Sequence, residues 1–334
     1  SPPIKEQPDN SKINVRENQS MKIDLNEKFV EDNAHQLFDD LEYETTTGSQ
    51  IDSNGERQNT GDVILEKRLL HNLEKINPGL PHDLYLEAIS KLHSMPKNDI
   101  MVGNRNFHKL LLDGFIKNIP DKNGKEIPVE INYVDWKTPK NNDFLTVRQL
   151  TIGQHEERIP DHVIFLNGIP IVIIEYKSPF GGAKLQEAHD QLGKTRYQRE
   201  IPKLFCYNAF TVISNWKFTK YGTFESPLEF FFNWFDKDDP GSESEPERTG
   251  RFELFINDVF EKENLLNIIS FFIEYEDDGK NIIKKIGRKH QIQGVNKLVT
   301  RAEEIYGTEE KRMGTVFHGT GSGKSMSMIF FAEA

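Results

Sequence analysis

Two apolar runs meet at Asn167-Gly168: Val163 to Leu166 before it and Ile169 to Ile174 after it. Unbroken apolar sequence on both sides of a dipeptide that accepts positive φ predicts a β-hairpin whose strands are buried on both faces. Elsewhere the apolar spacing is helical. Phe29, Leu37 and Phe38 fall on one side of a helix over Glu27 to Leu41. Val63, Ile64, Leu65, Leu69, Leu70 and Leu73 predict another from Val63 to Leu73, with Asp62 as its N-cap. Residues 84–93 and 101–116 read as further helices. Helical spacing resumes over 183–199 through Leu185, Ala188 and Leu192; Leu254 to Phe272 is mostly helical, and a loop and a helix follow over Ile282 to Tyr306. Strands are predicted at 128–135, 144–152, 204–206 and 210–214. Such irregular alternation around one sheet indicates an α/β or α+β core.

Polar stretches divide the chain. Residues 1–20 lack periodicity and predict a disordered arm, and 44–61 are rich enough in Thr, Ser, Gly, Asn and Asp to predict a loop. Asp236 to Glu247 is a linker by composition. The chain's 334 residues suit about two domains, and 28% charged with 36% hydrophobic residues fits a globular protein. No apolar run reaches a membrane span and no signal-peptide pattern opens the chain, so a cytoplasmic protein without membrane contact is expected. The single cysteine, Cys206, excludes an intramolecular disulfide and suits a reducing compartment. A net charge of −11 argues against broad contact with nucleic acid, leaving local basic clusters such as Lys184, Lys194, Arg196, Arg199 and Lys203.

The hairpin also carries the first candidate chemistry. Asp161 stands at the base of its first strand, and Glu175-Tyr176-Lys177 ends its second. Glu175 and Lys177, two apart on a strand, share a face. Two carboxylates suit Mg²⁺, which prefers oxygen ligands; the metal acidifies a bound water and neutralises charge on a phosphodiester, and the Tyr176 carbonyl offers a further ligand. Lys177 supplies a compact positive charge. The bland reading is a solvated cross-strand pair. Register matters here. A regular two-residue turn sets Asp161 opposite Ile174 and turns Glu175 away, so a three-residue loop or a β-bulge is expected, restoring Asp161 opposite Glu175.

The second candidate runs Thr315-Val316-Phe317-His318-Gly319-Thr320-Gly321-Ser322-Gly323-Lys324-Ser325. A short apolar strand entering a glycine-rich loop and then a helix reads as a phosphate-binding loop. The glycines, Gly321 and Gly323 among them, let backbone N–H groups wrap phosphates; Lys324 reaches the β/γ-phosphates and Ser325 holds Mg²⁺. His318 stands where the full pattern has glycine. No second acidic motif follows, so a truncated motor and no ATP hydrolysis by this chain are expected.

A nuclease site followed by a helicase-type phosphate loop resembles the R (restriction, motor) subunit of type I restriction-modification enzymes. The likeness extends through Val63 to Leu69, Asn141 to Leu145, Phe165 to Val172, Ile201 to Asn208 and Val212 to Asn215. It implies a restriction-endonuclease-like PD-(D/E)xK mixed sheet flanked by helices, followed by the beginning of a RecA-like P-loop domain. It implies the family's nuclease acids at Asp161 and Glu175, its lysine at Lys177, and a helix acid near the metal at Glu66. The family's Gln-x-x-x-Tyr element, associated with DNA contact, is matched by Gln191 and, at a longer spacing, Tyr197, with Arg196 beside it. Arg288-Lys289-His290-Gln291 resembles the adenine-reading element of superfamily 2 helicases, with Gln291 in that role. The implied whole is a Mg²⁺-dependent endonuclease for double-stranded DNA, coupled to ATP-driven translocation and assembled with methyltransferase and specificity subunits. The alternative is a non-catalytic DNA-binding or assembly module on a degenerate nuclease fold. The expected partition is an extension over 1–60, the endonuclease over 61–235, a linker over 236–250 and the start of the motor over 251–334.

Overall fold

The computed structural model describes residues 26–153, 156–179, 185–234, 250–308 and 323–334. Seven strands form its central sheet: β1 (Glu44–Thr47), β4 (Phe144–Arg148), β5 (His162–Leu166), β6 (Ile169–Tyr176), β7 (Phe210–Ser214), β8 (Thr219–Gly222) and β9 (Phe232–Asn233). Their order across the sheet is β1-β4-β5-β6-β7-β8-β9. The pairs β1–β4 and β6–β7 are parallel and the others antiparallel. Every residue of β5, β6 and β7 is buried, as their unbroken apolar runs predict. A separate ribbon pairs β2 (Phe115–Pro120) with β3 (Glu126–Ile131), and a second pairs β10 (Ile273–Asp277) with β11 (Ile282–Ile286).

The hairpin turns at Asn167 and Gly168, whose φ angles of 53° and 84° suit a primed two-residue turn. Asn167 is fully buried and its amide is fully used. Its Nδ2 donates to the Tyr133 carbonyl at 2.9 Å and to Asn142 Oδ1 at 2.8 Å, while its Oδ1 accepts from Asp143 N at 2.7 Å. Leu166 pairs with Ile169 and Phe165 with Pro170, but Ile164 pairs with Val172. Ile171 is therefore the extra residue of a β-bulge, the device expected from the sequence.

Helices cover both faces. α1 (Glu27–Asp40) is capped by Asn26, whose Oδ1 accepts from Phe29 N at 3.0 Å. It buries Val30, Ala34 and Phe38, spaced four apart, over β4 and β6. α3 (Glu66–Ile76), α4 (His82–His93) and α5 (Ile100–Asp113) follow the first strand and its short helix α2 (Gly48–Ser53). After β6 come α6 (Leu185–Leu192), α7 (Tyr197–Glu200) and α8 (Pro202–Cys206); after β9 come α9 (Gly250–Val259) and α10 (Lys262–Phe271), then α11 (Lys289–Ile305) and α12 (Lys324–Glu333).

Several expectations are corrected. The segment 44–61 is not a loop throughout: Thr47 accepts from Gln50 N in a capping box that starts α2, and β1 pairs with β4. Residues 27–53 thus pack with the sheet rather than forming an extension. The helix expected at Val63 begins at Glu66, because Leu65 has a non-helical ψ of 82° while its N donates to the Gly168 carbonyl, and Asp62 binds Asn59. Residues 204–206 are helical, with Pro202 opening α8 where its missing N–H is harmless. The helix over 183–199 is broken near Gly193, and the loop near 282 is β11. Phe252 and Phe255 of α9, and Phe260 just after it, are buried beside Trp216, Tyr221 and Phe38, so this segment packs on the sheet rather than apart from it. The arm over 1–20, the linker over 236–247 and the strand at 315–317 lie outside the described residues.

Gly168 and Gly79 separate backbone strain from packing. Both have positive φ, 84° and 82°, but a Cβ on Gly168 meets Leu65 O at 2.7 Å while one on Gly79 meets nothing within 4 Å. Gly79→Ala should cost only the left-handed penalty, about 1 kcal/mol. Gly168→Ala should cost at least twice that, about 2–3 kcal/mol, because α3 must also move. Urea denaturation of both variants checks this, and equal losses would show that α3 does not press on the turn.

Candidate nuclease centre

Strand polarity gathers the candidate acids at one rim. β5 begins where β6 and β7 end, and continuing the register from His162 opposite Ile174 sets Asp161 opposite Glu175. Tyr176 N donates to Asp161 Oδ2 at 2.6 Å, which closes the ladder with a side chain. Lys177 N donates to the Ser214 carbonyl at 2.8 Å, and Lys177 Nζ donates to the Tyr176 carbonyl, also at 2.8 Å. The Tyr176 oxygen expected from the sequence to be a ligand therefore faces the lysine. On the far side of the strand, the Tyr176 hydroxyl meets Nδ1 of the buried His162 at 2.9 Å.

Glu175 is completely buried, and the polar side chains that face it are Asp161, Lys177 and the Tyr197 hydroxyl. A carboxylate so placed is costly unless an opposite charge compensates it. Burial first, and then the neighbouring Asp161 charge, push its pKa well above the usual range, while Lys177 opposes the shift. Asp161 is raised to about 6, chiefly by burial, against the Tyr176 N–H and Lys177 that favour its charged form.

A third carboxylate arrives from α1. Oxygens of Glu27, Glu31 and Asp161 all lie within 4.8 Å of one another. Glu31 is 7% exposed and its pKa is raised to about 7 by burial and by the Asp161 charge. Asp161 therefore stands between Glu175 on its own sheet and Glu31 on the covering helix. Sequence reading missed Glu31 because helical spacing of Val30, Ala34 and Phe38 identifies the buried face but not what lies at its edge. The acid expected from α3 is corrected. Glu66 lies 2.7 Å from His93 Nε2, and its helix starts on Gly168, at the opposite end of the hairpin. About six residues of β6 separate that end from Glu175, roughly 20 Å of strand.

Gln191 and Tyr197 do come together despite their long spacing: Gln191 Nε2 donates to the Tyr197 hydroxyl at 2.7 Å. Tyr197 is buried, however, and its hydroxyl lies near Glu175 and donates to the Ile159 carbonyl at 3.3 Å. The Tyr197 ring is therefore packed inside the fold, and of these residues Arg196 is exposed. At the other candidate site, Gly321 lies outside the described residues, while Gly323 caps α12 and Lys324 and Ser325 form its first turn. Gln291 Nε2 donates to the Gly323 carbonyl at 3.0 Å and its Oε1 accepts from Arg288 N at 2.8 Å. Arg288 stacks 4.3 Å over Phe232, and these residues line a cleft of about 570 Å³.

Known proteins match the chain along most of its length. The model for the type I restriction enzyme R protein N terminus matches residues 24–230, and that for the SWI2/SNF2 ATPase matches residues 290–334. The type I restriction enzyme HindI endonuclease subunit of Haemophilus influenzae is 32% identical over 319 residues, 92% of this chain and 30% of that protein. A Methanocaldococcus jannaschii protein, provisionally named as the type I restriction enzyme MjaIXP endonuclease subunit, is 30% identical over 333 residues, 92% of this chain and 31% of its own. A Staphylococcus saprophyticus type I restriction enzyme endonuclease subunit is 26% identical over 299 residues, 85% of this chain and 29% of its own. The chain thus spans about a third of the length of these curated relatives. No helix among the described residues is long and apolar enough to cross a membrane.

The raised carboxyl pKa values have a definite consequence for stability. Asp161 at about 6 and Glu31 at about 7 hold protons in the folded state that the unfolded chain has released, since their ordinary values are 3.8 and 4.5. The folded state then binds more protons, so stability falls as pH rises from about 4 to about 7. A cation that binds the charged carboxylates reverses this. Thermal melts should show the metal-free midpoint falling between pH 5 and 7.5, and Mg²⁺ or Mn²⁺ raising it more at pH 7.5 than at pH 5. A metal-induced shift that does not depend on pH would count against ionised acids at the site.

Proposed function

We propose that this chain, which belongs to the family of type I restriction enzyme R protein N termini, carries the Mg²⁺-dependent DNA-cleaving centre of such an enzyme. The observation that carries the proposal is Glu175, a fully buried carboxylate set beside Asp161, with Lys177 and the Tyr197 hydroxyl near it. Three acids and a lysine at a sheet rim match the donor preference of Mg²⁺, a hard cation that takes oxygen ligands and keeps several waters.

In this reading Asp161, Glu175 and Glu31 would hold the cation, with the Tyr176 carbonyl, now bonded to Lys177, as a further candidate ligand. A bound Mg²⁺ would supply a water of lowered pKa and would neutralise charge developing on the phosphodiester. Tyr176 N–H fixes Asp161 by its bond to Oδ2. Lys177 places its ammonium where it orients the attacking water or steadies the phosphate. Tyr197, held by Gln191, packs near Glu175 and excludes bulk water from that side, and the exposed Arg196 meets the DNA backbone.

For the intact protein we propose ATP-coupled translocation on double-stranded DNA, with Gly321, Gly323, Lys324 and Ser325 holding ATP and Mg²⁺ and Gln291 reading the base. The match of residues 290–334 to the SWI2/SNF2 ATPase supports this. Target recognition then rests with the specificity and methyltransferase subunits, which suits a chain of net charge −11. In the reconstituted complex, Asp161→Ala, Glu175→Ala and Lys177→Ala should each lower Mg²⁺-dependent cleavage by at least about 100-fold while ATP hydrolysis persists. Glu31→Ala should impair cleavage by at least about tenfold, whereas Glu66→Ala should leave it unchanged. Cleavage that survives Asp161→Ala and Lys177→Ala refutes the centre.

A further inference from the structure

The acid from α1 is met by a side chain from the end of β4. Gln149, the residue after β4, donates its Nε2 to Glu31 Oε2 at 3.1 Å. The same residue's backbone N donates to the Asp161 carbonyl at 3.0 Å. One residue therefore touches both halves of the acidic cluster, the strand acid through its backbone and the helix acid through its side chain.

Gln149 adopts φ of 50°, in the left-handed region, and it is neither glycine nor asparagine. The surroundings enforce this. Gly48, which opens α2, lies so close that a Cβ on it would meet Gln149 O at 2.5 Å and Leu150 Cα at 2.7 Å. The left-handed turn ends β4 and brings the side chain back toward α1. An extended residue there would continue the strand past β5 and direct its side chain away from Glu31. Its neighbour Arg148 makes a parallel link, donating from Nη1 to Asp32 Oδ1 at 2.6 Å, so the end of β4 is fastened to successive residues of α1. Sustained strain in a long polar residue points to a role for its side chain, because glycine would relieve the strain at that position.

We infer that Gln149 is a positioning residue of the nuclease centre: it holds the Glu31 carboxylate against Asp161 so that both present oxygens to one divalent cation. The inference rests on the reading of that centre given above. Its amide donates to one Glu31 oxygen and leaves the other for the cation. Outer partners of this kind orient ligands, and their loss weakens metal affinity by about 10-fold or more.

Strain gives the inference a signature that a merely structural residue lacks. Gln149→Gly removes the amide but relaxes the backbone, so Mn²⁺ affinity of the full chain, measured by electron paramagnetic resonance at pH 7.5, should fall about tenfold. The metal-free melting midpoint should hold or rise by about 2–4 °C. Gln149→Asn tolerates the left-handed backbone yet is one methylene too short to reach Glu31, and should show the same loss of affinity. Glu31→Ala supplies the benchmark loss. If Glu31→Ala weakens Mn²⁺ binding while both Gln149 variants bind within twofold of the unaltered chain, the inference is overturned and the centre stands. If the unaltered chain binds no Mn²⁺, both the centre and the inference are overturned.

Discussion

One inserted residue decides which side chains share a face at the rim of this sheet. Ile171 has no partner on β5, because Phe165 pairs with Pro170 and Ile164 with Val172. Without that bulge every later residue of β6 would be turned to the other face, since side chains alternate along a strand. Glu175 would then point away from Asp161. The bulge is fixed on both sides. Toward β5 the buried Asn167 and Gly168 set a tight turn, and toward β7 the Ile171 carbonyl accepts from Ala209 N at 2.6 Å. The extra residue is thus built into the ladder and cannot slip out by a local shift of register.

The acids so assembled repel one another, and the fold tolerates them through several compensations. Tyr176 N–H and Lys177 favour the charged form of Asp161, and Gln149 does the same for Glu31, but burial outweighs these in the metal-free state. Protonation relieves the repulsion near neutral pH, and a cation would relieve it further. Carboxyl groups with pKa values of about 6 and 7 change charge close to neutrality, so protons would compete there with the proposed cation. The buried His162 takes no part in the charge balance. Burial pushes its pKa well below the usual value, so it remains neutral and meets the Tyr176 hydroxyl as a hydrogen-bond partner only.

What the sequence discloses follows from how local each signal is. The hairpin, its turn and the triplet Glu175-Tyr176-Lys177 lie within 17 residues that start at Asp161, so spacing and alternation suffice to read them and even to demand the bulge. Glu31 and Asp161 are 130 positions apart in the chain, and nothing in the neighbourhood of Glu31 marks it from Glu27, Asp32 or Asp39. Glu66 was the expected acid because the resemblance implies one on the helix before the hairpin, but that helix docks on the turn and not on the rim. Polar composition misleads in the same way: Thr45, Thr46 and Thr47 belong to an edge strand whose partner is β4, a pairing no local pattern reveals. At Pro202 to Cys206 the apolar triplet suggested a strand, and the helix-opening proline was the decisive signal.

The same distinction applies to where one unit ends and the next begins. Composition places a boundary at the acidic stretch after Trp234, yet packing carries the sheet domain well past it. Lys284 on β11 is buried between α5 and the start of β7, its Nζ donating to Asn104 Oδ1 at 2.8 Å and to the Asn208 carbonyl at 2.6 Å. Its ring neighbours are Tyr275 and Phe224, at 5.4 and 5.7 Å, so neutral oxygens and aromatic faces take the place that a carboxylate fills elsewhere. Burial pushes the pKa of this lysine well below its usual value. Tyr221 of β8 donates its hydroxyl to the Gly287 carbonyl at 2.9 Å, immediately before the N-cap of α11. The β10–β11 ribbon is thereby part of the sheet domain by its contacts, although it follows the linker in sequence. Gln291, in the first turn of α11, meets Gly323 from a helix whose start is fastened to the central sheet. Polar composition and buried hydrogen bonds thus place the boundary differently, by about 50 residues, from the start of the linker to Gly287.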